Sequence, residues 1–174
     1  MAEKAETGAK EGDVIEKFKL GVACAHLGSF EEALEWFERV SEHPRRREKS
    51  STYETELELR LSLNPDDHLL LGQKAFLYYT DGDYAEALEI IERMEKQDPE
   101  NYWIKNYRAL LKVEMEEFEK ARDLFREVLD KEENRYTRAF MGYAYWQEGK
   151  YGRAATHFIR TGTLLFTIED ILGD

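Results

Sequence analysis

Apolar residues recur along this chain at the three- and four-residue intervals of a helix face, and no stretch shows the two-residue alternation of a half-buried strand. The periodicity predicts helices over residues 13–27, 30–43, 50–62, 66–80, 84–96, 101–114, 118–130, 135–148 and 151–165. The punctuation between them agrees. Gly28, Gly82 and Gly149 stand where a helix can close through a left-handed residue. Ser29 with Glu32 and Asp83 with Glu86 have the spacing of a capping box. Asn64-Pro65-Asp66-Asp67 and Asp98-Pro99-Glu100-Asn101, 34 residues apart, each read as a turn followed by an N-cap.

The helices repeat. Four segments align on Ala33, Ala87, Ala121 and Ala154, at spacings of 54, 34 and 33 residues. Each is preceded by a small residue on the earlier helix (Gly21, Ala75, Ala109, Gly142), and the first, third and fourth are followed by an aromatic (Phe37, Phe125, Phe158). Two helices that cross closely need small side chains on both sides of the contact, which gives the pattern its physical sense. It resembles the tetratricopeptide repeat, over about residues 14–165. The third copy departs from the pattern, with Glu116-Glu117 in place of the glycine and cap and Lys112 where an aromatic is common. The first spacing leaves room for an insertion, and Tyr53, Leu57 and Leu61 at i, i+4, i+8 predict an extra amphipathic helix in it. The expected organisation is an all-α solenoid of about four helix pairs: a polar tail over 1–12, a repeat domain over 13–165, and a cap over 166–174. The repeats fall at about 13–44, 66–99, 100–133 and 134–165, with the inserted helix at about 45–65.

The resemblance implies a protein-binding module whose first helices line a concave groove. Transferred onto this chain, that groove comprises Phe18, Val22, Phe76, Tyr79, Trp103, Asn106, Leu110, Tyr136, Tyr143 and Trp146. Such an aromatic and aliphatic surface suits an apolar peptide or amphipathic helix, since Trp and Tyr offer large contact area at little entropic cost. Family members that clamp a chaperone tail use Lys, Asn and Arg on this face. Here the matching positions are Phe18, Val22, Gln73, Trp103 and Tyr107 in one register, and Gly72, Phe76, Tyr107, Tyr136 and Phe140 in the next. Neither register supplies the cations, so a carboxylate clamp is not expected.

Composition narrows the classes further. A chain with 42% hydrophobic and 36% charged residues is too apolar for general disorder and too charged for a membrane bundle. The formal charge of −12 repels polyanions, which argues against nucleic acid and anionic membranes as partners. The run Arg45, Arg46, Arg47 and Lys49 follows Pro44 and reads as cations at the end of a helix, complementing its dipole. Cys24 reads as a small core residue rather than a nucleophile. His26, His43, His68 and His157 lack a His or Cys partner at ligand spacing, and no phosphate loop or nucleophile elbow occurs, so neither enzyme, metal nor cofactor is expected. The polar N-terminal stretch is no signal peptide and no apolar run is long enough to span a membrane, making the cytoplasm the default compartment. Thr163 to Asp174 carries Leu164, Leu165, Phe166, Ile168, Ile171 and Leu172, and reads as a cap over the open end of the stack. Docking of this segment into a neighbouring copy, giving a homodimer, is the alternative. The leading function is an adaptor or scaffold, beside a secretion-type chaperone holding a client segment and a self-assembling structural protein.

Overall fold

The structure, a computed structural model, describes residues 14–25, 27, 29–41 and 46–161, with side chains described at all of these except 30, 31, 34, 38, 41 and 46–52. The expected tail over 1–12, the Gly28 turn glycine, His26, His43, Pro44, Arg45 and the capping segment 166–174 lie outside the described residues. What is described is all-α and of solenoid type: α1 (14–25), α2 (Phe30–Ser41), α3 (Arg46–Leu63), α4 (His68–Asp81), α5 (Tyr84–Gln97), α6 (Tyr102–Glu114), α7 (Phe118–Lys131), α8 (Arg135–Gln147) and α9 (Tyr151–Arg160). The chain divides into two compact units, residues 1–97 and 98–174. In the first, α4 packs on α5 and α3 packs on α4; in the second, α6 pairs with α7 and α8 with α9, while α8 also touches both α7 and α6.

One turn geometry recurs between the helices of every pair. The amide of Ser29 donates to the carbonyl of Cys24 (2.8 Å), Asp83 to Tyr78 (2.9 Å), Glu117 to Lys112 (2.8 Å) and Lys150 to Tyr145 (2.8 Å), the six-to-one bond that satisfies a carbonyl left over at a helix end. In the last three of these turns the residue before the donor turns left-handed. Gly82 (φ 88°) and Gly149 (φ 78°) do so without a Cβ to obstruct them, whereas the third pair forces Glu116 into the same region at φ 61°. The departure read from the sequence therefore changes the side chain and keeps the backbone. Glu117 compensates in part, accepting hydrogen bonds from Lys112 (3.0 Å) and Lys120. Because a left-handed non-glycine residue costs about 1–2 kcal/mol, offset partly by glycine's greater freedom when unfolded, Glu116→Gly is expected to stabilise residues 98–174 by roughly 0.5–1 kcal/mol in urea denaturation.

Helix starts are equally local. The Asp67 carboxylate accepts the amides of Leu69 and Leu70, both at 3.0 Å, and the Asn101 side-chain oxygen accepts that of Trp103 at 3.1 Å, as their place in the turn predicts. Asn134 does the same for Tyr136 and Thr137 at the start of α8. The small positions of the motif lie where the helices of a pair meet. A Cβ on Gly21 would come within 2.6 Å of the Phe37 ring, and one on Gly142 within 2.7 Å of the Phe158 ring. Ala33, Ala75, Ala87, Ala109, Ala121 and Ala154 are all buried.

The inserted helix differs from its expectation. It begins at Arg46 rather than residue 50, so Arg46, Arg47 and Lys49 fall within the first turn of α3. Further along, Tyr53 and Leu57 are buried and Leu61 partly so, in one cluster with Val14, Phe18 and Val22 of α1 and Leu70 and Leu77 of α4. The Phe18 and Tyr53 rings meet edge to face with centroids 6.0 Å apart, and the Tyr53 hydroxyl donates to the Gln73 side-chain oxygen. Burial, reinforced by the Glu56 charge, pushes the Tyr53 phenol up to about 12. The insertion is thus an integral core element lying on α1 and α4, the first helices of their pairs.

Candidate functional site

The residues expected to line one groove divide between interior and surface. In residues 1–97, Phe18 (4% exposed) and Val22 (2%) are core, because the Tyr53, Leu57, Leu61 stripe of α3 shares their cluster. Phe76 and Tyr79 are half-buried in a ladder of rings: Phe76 stacks on Phe37 with centroids 4.2 Å apart, lies 5.5 Å from Phe18 and 5.9 Å from Tyr79, and Tyr79 continues to Tyr84 at 5.7 Å. The first-helix side of this unit is occupied by the chain itself.

In residues 98–174, Trp103 and Asn106 are also buried rather than exposed. Trp103 stacks on Tyr107 at 5.3 Å, one turn along α6. Asn106 is fully buried and its amide donates to the Thr137 hydroxyl at 2.8 Å, so this polar residue pins α6 to α8. Nothing in the helical period separates such an internal pin from a groove residue, since both point off the first helix. Leu110, Tyr136, Tyr143 and Trp146, by contrast, are half-buried. Leu110, Tyr143 and Trp146 rest on the cluster formed by Ala109, Val113, Phe125 and Met141.

A short polar network joins the two helices at this surface. The Tyr143 hydroxyl donates to the Glu114 carboxylate at 3.0 Å and accepts from the Gln147 amide at 2.7 Å. Glu114 and Gln147 were not among the expected groove residues; each lies one helical turn beyond one that was, Leu110 and Tyr143. Trp146 is fixed edge-on by Tyr151 at 4.8 Å. At the start of α8 the Arg135 guanidinium donates to the Tyr136 hydroxyl at 3.0 Å. The other end of α8 is tied to α7 through Glu148, which accepts from Arg122 and, at 2.5 Å, from Lys150. Burial pushes the Glu148 carboxyl up, but the Lys150 hydrogen bond and the Arg122 charge outweigh it and hold the group below the usual carboxylate range. The result is a part-exposed face of rings and aliphatic side chains on α6 and α8, carrying one carboxylate and one amide. Preformed contact groups of this kind lose little entropy on binding.

Among the described residues no three His, Cys, Asp or Glu side chains group as metal ligands. Cys24 is half-buried rather than buried, and its thiol donates to the Glu32 carboxylate at 3.7 Å; burial and that carboxylate push its pKa up, away from a reactive thiolate. No described helix is long and apolar enough to cross a membrane.

Comparison with known proteins agrees with this geometry. No curated protein matches the chain. Among solved structures it is similar to MamA of MSR-1, at 17% identity over 85% of this chain and 94% of that one with a TM-score of 0.53, and to MamA of AMB-1, at 17% identity over 87% and 98% with a TM-score of 0.52. These likenesses concern the fold. Two tetratricopeptide repeat family models match, one over residues 78–144 and another over residues 13–45, together more than half the chain. With the anchor alanines, the recurrent turn bond and the small residues at each helix crossing, these matches place the chain in the tetratricopeptide repeat family, a family of protein-interaction modules.

Proposed function

We propose that this protein is an adaptor whose α6/α8 face binds an amphipathic helix of a partner protein. The observation that carries the reading is α3. In residues 1–97 the first-helix side receives an amphipathic helix with Tyr53, Leu57 and Leu61 at i, i+4, i+8. The equivalent side of residues 98–174 presents Leu110, Tyr143 and Trp146 half-buried. A partner helix with the same apolar spacing would set its stripe on these side chains, as helix-in-groove recognition does. Glu114 and Gln147 then favour a donor, such as Lys or Arg, beside the stripe, and the net charge of −12 speeds the approach of a basic segment.

The test is capture of partners from a lysate by the intact protein, by a Tyr143→Ala, Trp146→Ala variant checked for helicity, and by a Glu127→Ala control on α7. Aromatic anchors of this kind carry about 2 kcal/mol each, about 30-fold in affinity apiece, so the double variant is expected to bind on the order of 1,000-fold more weakly. The control is expected to bind as the intact protein does. Equal recovery by all three would remove the α6/α8 face from the function.

A further inference from the structure

The repeat places an apolar side chain three residues after each anchor alanine, except once. Trp36, Ile90 and Leu124 hold that position after Ala33, Ala87 and Ala121, and Leu124 is buried in the core of residues 98–174; after Ala154 the residue is His157, on α9. The imidazole is half-buried and packs on the buried Tyr145 ring of α8 with centroids 5.4 Å apart. Its Nδ1 is buried and has no hydrogen-bond partner among the described residues. The charges around it are of one sign. Arg138 of α8 and Arg160 of α9 bear on the imidazole, and the guanidinium groups of Arg122 on α7 and Arg153 on α9 lie over Tyr145 at 5.1 and 5.7 Å. The carboxylates flanking α8 are engaged already, Glu133 by Arg138 and Glu148 by Arg122 and Lys150.

We infer that His157 is a pH-sensitive latch between the last two helices: neutral, it docks α9 on α8; protonated, it loosens α9. An imidazolium here would carry its charge into a partly desolvated position that faces guanidinium groups, without an unengaged carboxylate to receive it among the described residues. Burial first, and then the charges of Arg138 and Arg160, hold the imidazole below its ordinary value of 6.5. The unfolded chain then takes the proton more readily than the folded one, so the contribution of His157 to docking is complete above about pH 6.5 and is lost as the pH falls below it. The docked helix matters to its neighbour. The Phe158 ring of α9 fills the space at Gly142, and Tyr151 fixes Trp146 edge-on, so loosening α9 releases side chains of α8 from both contacts. His157 is the only histidine of residues 98–174, so a change in that unit across the imidazole range reports on it.

The experiment is hydrogen–deuterium exchange of the full chain at about pH 7.5 and about pH 5.5, corrected for the intrinsic pH dependence of exchange, with His157→Leu and His157→Gln beside the intact protein. Leucine is the residue of the third copy and glutamine keeps a polar group. Both are neutral throughout, and circular dichroism checks that each variant is folded. In the intact protein the amides of α9 are expected to exchange at least about threefold faster at the lower pH, relative to those of α6 and α7, and in neither variant is this expected. Unchanged relative protection of α9 in the intact protein would overturn the proposal, meaning that the dipole at the end of α9, which favours a cation, offsets the burial. The same loss in both variants would place the titrating group elsewhere and overturn it too. So would a loss spread evenly over α6 to α9, since the unit would then open as a whole.

Discussion

Phe125→Ala is expected to destabilise residues 98–174 by about 3–5 kcal/mol, enough to unfold a domain of ordinary stability under mild denaturant. Phe125 is fully buried on α7, within a cluster formed by Ala109 and Val113 of α6, Ala121 and Leu124 of α7, Met141, Ala144 and Tyr145 of α8, and Ala154 of α9. Its neighbours are mostly small or held by their own helix pairs, so they cannot collapse into the space a benzyl group leaves. The cost is then the lost transfer free energy plus a cavity term. Urea denaturation followed by the fluorescence of Trp103 and Trp146, in a Trp36→Phe background, reports this unit specifically. A loss below about 1 kcal/mol would mean that α6 to α9 do not share one core.

Leu57→Ala is expected to cost residues 1–97 about 2–5 kcal/mol, whereas Leu59→Ala, two residues away on the same helix, is expected to change stability by less than about 0.5 kcal/mol. Leu57 is fully buried between α3, α1 and α4, and Leu59 is 66% exposed. The contrast tests whether the insertion is part of the core or merely tethered to it. Equal small effects at both positions, read by the fluorescence of Trp36 in a background lacking Trp103 and Trp146, would contradict the packing of α3 on the first helices.

Much of this was legible in the chain because the repeat is enforced by local chemistry. Asp67 and Asn101 were readable as caps from the turns that precede them, Gly82 and Gly149 as left-handed closures, and Gly21 and Gly142 as close crossings, since each role belongs to one residue type at one position. Asn134 follows Asn101 by 33 residues and could have been found by carrying the repeat spacing one step further. Glu116 shows the limit of such reading. Glu116-Glu117 departs from the glycine and cap of the other copies, yet the surrounding helices impose the same backbone at φ 61°. The groove was less legible. Phe18 and Val22 have the right period and chemistry, but their exposure depends on where α3 lands, which its own i, i+4 pattern does not specify. Asn106 is similar: its partner, Thr137, is 31 residues away, and only packing brings the two together.

In functional terms the insertion separates two roles for the same kind of surface. In residues 1–97 the first-helix side is closed by α3, which turns leucines outward; in residues 98–174 it stays part-exposed, with Tyr143 held between Glu114 and Gln147. The most direct measurement is site-specific photocrosslinking with the full chain, placing a photoreactive phenylalanine derivative at Tyr143 in one preparation and at Glu127 on α7 in another. The account predicts a crosslink to an amphipathic helix of a partner from position 143 and none from position 127; crosslinking from 127 with none from 143 would contradict it.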